Sequence, residues 1–281
     1  MTFLHTVDLA LYVAGGAVWL VALTVLVARR RDPLSDALVR PHWLTWIDVV
    51  WVILTYLLAT MLASTAAGLL TREADDQELA LDVVRACANA AAFTGAGVAC
   101  AWLAGRRFHA RYRGFGLITG RLGRDIAWSA FAFLAIWPLV AALLRLSEGA
   151  VSYLWGEDHL KDHRVIHALD NPDLPSWCAW LLIATAVVLA PVAEELFFRG
   201  ILQTRLATSL HSRWAALLIA SACFGFVHSD QYAAVVPLVA MGIILGYVYE
   251  ATGSLVAPIL IHAVFNAKSL IWHYLLQSQA A

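Results

Sequence analysis

Apolar stretches long enough to cross a bilayer recur through the whole chain, at about residues 8–28, 46–70, 80–104, 125–146, 177–198, 214–228, 233–250 and 254–275. A run of this length in lipid must pair its own backbone groups, which a helix does. The expected fold class is therefore all-α, a polytopic membrane protein with about eight transmembrane helices. Composition agrees: of 281 residues, 61% are hydrophobic and 14% charged, too apolar for a soluble domain of this length. The first run follows a segment with no basic n-region and ends in Ala28-Arg29-Arg30-Arg31 without a small-residue cleavage pattern, so an uncleaved span is expected. No repeat, low-complexity tract or long loop interrupts the pattern, and residues 1–281 are expected to form a single membrane domain.

The arginines report topology. Loop 29–45 carries Arg29, Arg30, Arg31 and Arg40, and loop 105–124 carries Arg106, Arg107, Arg111, Arg113, Arg121 and Arg124. The positive-inside bias places both in the cytoplasm, with the acidic loops 71–79 and 147–176 and both termini outside. A net charge of -1 with no basic face or tail gives no sign of a nucleic-acid partner. The four cysteines lie in or beside apolar runs without metal-ligand spacing and are expected to be free and buried. His159, His163 and His167 recur four apart in the 147–176 loop; a solvated interfacial helix accounts for them, with an accessory metal site as the alternative. Tryptophans such as Trp43, Trp46, Trp51 and Trp177 sit near run ends, where interfacial anchoring explains them.

Ionisable groups at membrane depth cost about 2.5 to 3.5 kcal/mol each even on lenient scales, so they mark sites. They concentrate in the C-terminal half. Pro191-Val-Ala-Glu194-Glu195-Leu-Phe-Phe-Arg199-Gly200 ends an uncharged run from Trp177 to Ala193. On a helix Glu195 lies over Arg199, four residues on, while Glu194 is rotated by about 100° and is the freer carboxylate. Pro191 cannot donate a backbone N–H, so the helix is expected to kink or open just before the pair. Phe224 and His228 share one face of the next helix, and His262 and Asn266 share one face of the last. If the chain turns near residue 211, Glu194 and His228 are each 17 positions from the turn and meet at one depth. A carboxylate, two imidazoles and an amide are the groups that water activation and oxyanion stabilisation require. Glu194, His228, His262 and Asn266 are accordingly expected to converge on one cavity.

These three motifs, EExxxR at Glu194 to Arg199, FxxxH at Phe224 to His228 and HxxxN at His262 to Asn266, resemble those of the CPBP family of intramembrane proteases. That is the CAAX-protease and bacteriocin-processing (Abi) family, which includes the Ras-converting CAAX proteases. The match covers about residues 177–275, which the resemblance makes a CAAX-protease-like catalytic core. It implies an intramembrane endopeptidase with catalytic residues Glu194, Glu195, His228, His262 and Asn266. In those roles Glu194 is general base for a water shared with His228, His262 and Asn266 hold the oxyanion, and Glu195 with Arg199 braces the helix, supported by Phe224. Family members are often labelled metalloproteases, and His228, His262 and one glutamate could hold zinc, with the other glutamate as base. Those ligands would come from three helices without HExxH spacing, so the cofactor stays open and zinc is not required.

Two other readings stay open: a non-catalytic binder of the same fold, such as a bacteriocin immunity protein, and a proton-coupled transporter using the glutamates and histidines as a relay. Intact motifs favour the protease over the first, and the lack of an inverted repeat disfavours the second. The implied partners are the lipid bilayer and a membrane-anchored peptide or protein: a bacteriocin precursor, a signalling peptide or a sorting tail. Ala-, Leu- and Arg-rich composition with little Lys points to a bacterial inner membrane.

Overall fold

The computed structural model describes residues 3–29, 32–35, 37, 39–72, 76–117, 121–157, 160 and 164–280, and no β-strand occurs among them. In chain order the helices are α1 (Phe3–Arg29), α2 (Trp46–Leu70), α3 (Gln77–Arg107), the short α4 (Arg111–Phe115), α5 (Leu122–Trp155) and the short α6 (Arg164–Leu169). A long helix then runs over Ser176–Leu210, in which α7 (Ser176–Ala184), α8 (Ala190–Glu195) and α9 (Thr204–Leu210) are joined by π-helical stretches at Thr185–Leu189 and Leu196–Gln203. The chain ends with α10 (Arg213–Phe226), α11 (Val235–Thr252) and α12 (Val256–Ala280). His167 falls in α6, whereas His159 and His163 lie outside the described residues, so the three-histidine stripe does too.

Seven helices among the described residues are long and apolar enough to cross a membrane, and the protein is an integral multi-pass membrane protein. The sixth apolar run is where the count departs from eight. Its helix α10 has 14 residues, about 21 Å of rise against a hydrocarbon core of about 30 Å. The helix stops as the chain reaches His228-Ser229-Asp230-Gln231, polar groups in turn conformation that lipid cannot satisfy.

Helix α2 packs along α3; α3 packs on α8 and both flanking π turns, and α2 on the π turn at Leu196–Gln203; α5 packs between α1 on one side and α11 and α12 on the other. One buried cluster joins Val52, Ala96, Cys100, Leu103, Phe115, Ala193, Leu196 and Tyr249; a second joins Ala132, Ile136, Met241, Leu245, Ala257 and Ile261. Small residues set the spacing, as expected where lipid supplies no hydrophobic drive. A methyl on Gly200 would strike the Phe115 ring, and one on Gly15 of α1 would strike Pro138 and the Leu134 carbonyl of α5. Gly15 thus lets α1 cover the carbonyl that Pro138, lacking an N–H, leaves without its helical donor. Of the cysteines, Cys100 and Cys178 are buried, Cys87 is half-buried, and Cys223 is exposed on the outside of the bundle.

The arginine-rich loops lie at one end of the bundle. Arg40 and Arg213 both pair with Glu250 at the end of α11 (3.1 and 3.2 Å), and Arg107 at the end of α3 pairs with Asp48 at the start of α2 (2.8 Å). Trp43 donates its backbone N–H to the Arg107 carbonyl and His109 donates to that of Pro41, so the segment before α2 is strapped across the end of α3. Glu250, 3% exposed, was not singled out by the sequence because its partners come from positions 40, 203 and 213.

Candidate active site

The Ser176–Leu210 helix opens, as its proline suggests, but into π turns, with no break. The Ala190 N–H bonds the Thr185 carbonyl, the wide π spacing. The next amide along is that of Pro191, which has no hydrogen to give. The Ala186 carbonyl is therefore left to another donor, and Asn266 of α12 supplies it: Nδ2 donates at 2.8 Å. A π turn at this point also displaces the residues after it around the axis, and such turns recur at functional sites.

Glu195 is fully buried and Arg199 is 1% exposed. The guanidinium donates to Glu195 Oε1 at 3.0 Å and to the Gly242 carbonyl at 3.3 Å. The same carboxylate oxygen lies 2.9 Å from His262 Nδ1. Since the carboxylate accepts, Nδ1–H is the donor, and His262 Nε2 faces Glu194, 3.8 Å from its Oε2. One imidazole thus stands between the two adjacent glutamates. Glu194 has a 13% exposed side chain, more open than that of Glu195.

Phe224 is the hub of the aromatic packing. Its ring lies 5.4 Å from the His228 ring, 5.6 Å and edge-on to His262, 5.3 Å and edge-on to Phe198, with the Arg199 guanidinium 4.6 Å away. The turn sits where the spacing places it, with His211 in the left-handed region at φ 52° and Ser212 capping α10. Phe198 and Phe224, thirteen positions either side of residue 211, meet at one depth. His228 follows just past the end of α10. Its Nδ1 lies 2.9 Å from the Phe224 carbonyl, which can only accept, so Nδ1–H donates and Nε2 is left without that bond. Both imidazoles and Arg199 lie within electrostatic range of Glu194.

The structure thus brings Glu194, Glu195, Arg199, His262 and Phe224 into direct association, sets His228 beside them, and ties Asn266 to the neighbouring π turn. Tyr56 of α2 was not anticipated: it packs on the cluster containing Ala193 and Leu196 and lies in electrostatic range of Glu194. A single tyrosine in an apolar span carries no spacing that could have flagged it.

Comparison with known proteins bears on this geometry. The model of the Rce1-like family, type II CAAX prenyl endopeptidases, matches residues 175–268, the segment that holds all three motifs. The chain is also 30% identical over 148 residues to the uncharacterized protein YpbD of Bacillus subtilis (strain 168), an alignment covering 51% of this chain and 72% of that protein. The chain belongs to the Rce1-like family. No solved structure gives a significant match. The family match begins at the start of α7 and ends within α12, so helices α1 to α6 lie outside it.

Proposed function

We propose that this Rce1-like protein is an intramembrane endopeptidase that hydrolyses a peptide bond of a membrane-associated peptide or protein, with Glu194 as general base. The observation that carries the proposal is the placement of His262 between Glu194 and Glu195 with His228 alongside, from three helices that meet only in the fold. Glu194 takes a proton from a water whose second hydrogen is accepted by Nε2 of His228. The hydroxide adds to the scissile carbonyl carbon, and the carbonyl electron pair moves to oxygen. His262 in its protonated form presents Nε2–H to that oxygen while Nδ1–H stays on Glu195, and Asn266 retains a second amide hydrogen for the same charge. As the tetrahedral species collapses, the C–N bond breaks and the leaving amine takes the proton from Glu194. Arg199 donates to Glu195, and Glu195 in turn fixes the His262 tautomer and ring.

Labels in the wider family imply a metal, and the donors here do not fit one as they stand. Glu195 Oε1 accepts from Arg199 and His262, which leaves Glu195 Oε2, Glu194 and the Nε2 atoms of His228 and His262 as the atoms an ion could use. Among the described residues no group of three or more His, Cys, Asp or Glu is placed to hold an ion. No step above is routed through a metal.

The substrate we propose is membrane-anchored, because a base among seven apolar helices is reached most directly from within the bilayer, and the location is the cell membrane of a bacterium. Comparison of cell-envelope peptides from wild-type and deletion cells, followed by incubation of the candidate with purified protein in lipid, is the test. A peptide that persists uncut in the deletion strain and is cut at one bond by wild-type protein but not by Glu194→Gln is the expected result. Tight binding of that peptide without cleavage would replace the proposal with a non-catalytic binder.

A further inference from the structure

Lys268 is a charged residue buried in the bundle that the mechanism does not use. It sits on α12 six residues beyond His262, with a side chain only 9% exposed. Its Nζ is 2.9 Å from Asp8 Oδ1 of α1 and lies 3.2 Å and 3.8 Å from the ring centroids of Trp137 and Trp272. The other Asp8 oxygen accepts from Trp272 Nε1 at 3.0 Å. Charges buried among apolar helices need a partner, and this one is drawn from the first helix of the chain, outside the segment matched by the family.

The position of this cluster on α12 matters for the site. Asn266 projects within about 40° of His262 around the helix, whereas Lys268 projects about 120° away. His262 and Asn266 therefore hold one face of α12, to α8 and the π turn, and Lys268 with Trp272 holds another, to α1. Two anchors on different faces resist rotation as one does not. A rotation of about 20° would carry a side-chain tip at a radius of about 5 Å through roughly 2 Å, more than the tolerance of the His262 contacts. Helix α1 is itself fixed to α5 by the Gly15–Pro138 approach and by Trp19 Nε1, which donates to the Ala135 carbonyl at 3.1 Å.

We infer that Asp8 is a positioning residue for the active site: through Lys268 and Trp272 it sets the rotation of α12 that keeps His262 between the two glutamates. The inference rests on the proposed peptidase reading for its kinetic consequence but not for its structural one, so the experiment reads both. The full-length protein in lipid is compared with Asp8→Asn, with Asp8→Leu/Lys268→Met, which keeps the packing and removes both charges, and with the exchange Asp8→Lys/Lys268→Asp. The readouts are kcat and KM on a cleaved substrate, thermal stability, and the imidazole nitrogen NMR signals of His262. Expected are a fall in kcat of about tenfold or more with KM little changed in the first two variants, a shifted His262 signal in both, and recovery of the signal and at least part of the rate in the exchange. A double-apolar variant that is folded, with an unchanged His262 signal and unchanged kcat per folded molecule, overturns the inference. Should the wild type cleave nothing, the peptidase reading falls, and the His262 signal alone still decides for or against Asp8.

Discussion

Asn266 donates to the carbonyl of Ala186, the acceptor that Pro191 five residues later leaves without a backbone donor. A motif asparagine and a motif-adjacent proline on different helices are thereby one device, in which the proline opens the turn and the amide closes it from outside. Removing the amide strands a carbonyl in a poorly solvated place, at a cost of about 1 to 3 kcal/mol. Asn266→Ala should therefore lower stability by that order, and adding Pro191→Ala, which restores an N–H to the turn, should recover much of the loss. A double-mutant cycle by denaturation in detergent measures the coupling; additive effects of the two changes would separate the residues.

Glu194 and Glu195 should part company on mutation. Glu194→Gln keeps shape and leaves the Arg199–Glu195–His262 chain intact, so stability should stay near wild type while cleavage is abolished. Arg199→Ala removes the cation from a fully buried carboxylate, and losing one partner of such a pair costs about 3 to 5 kcal/mol. Thermal unfolding and cleavage assays on the two variants check this; equal losses of stability would end the division of roles.

How much of this was legible follows from distance along the chain. Each motif is an i,i+4 pair, which a sequence displays directly, although His228 falls just past the end of α10, and counting about residue 211 brings Phe198 and Phe224 to one depth. The resemblance rested on the same residues. The Asp8–Lys268 pair joins positions 260 apart, and no local period encodes it; the only trace is a lysine in an apolar run. Glu250 was obscured likewise, at the end of a span where an acid looks interfacial. Apolar content alone suggests a sixth span at 214–228, whereas the polar run from His228 to Gln231 ends the helix early. Pro191 predicted an opening but not its form, because whether a helix breaks or widens depends on what can reach the freed carbonyl.

Both arginine-rich loops meet at one end of the bundle, where Arg40 and Arg213 share Glu250 and Arg107 holds Asp48. The positive-inside bias makes that end cytoplasmic. With native thiols removed, Arg113→Cys should resist a membrane-impermeant maleimide in intact cells and react after permeabilisation, while Glu78→Cys at the opposite end should react from outside. The reverse pattern would invert the topology.

Metal removal should leave the reaction intact, since among the described residues no group of three or more His, Cys, Asp or Glu is placed to hold an ion. Purified protein dialysed exhaustively against a chelator, with its metal content checked by elemental analysis, should retain its kcat. Loss of activity restored by added zinc would move the water onto a metal.

Acid should loosen the strap before α2, through His42. Its Nδ1 accepts the Leu44 backbone N–H at 3.0 Å, and its Nε2 lies 2.8 Å from the Thr208 hydroxyl of α9. Both contacts suit the neutral ring, with Nε2–H donating. Burial chiefly, and then the nearby Arg205 charge, hold its pKa below the ordinary imidazole value. The unfolded chain therefore binds this proton first as pH falls. The contribution of His42 is fully present above about pH 6.5 and is lost progressively below it, until the folded protein is protonated as well. Protonation turns Nδ1 into a donor facing the Leu44 N–H, so the strap contact is the bond that fails. Thermal stability of the wild type should drop as pH falls below about 6.5, and His42→Gln should be less stable at pH 8 with a flatter decline. A decline of the same steepness in the variant would assign the acid sensitivity to other groups.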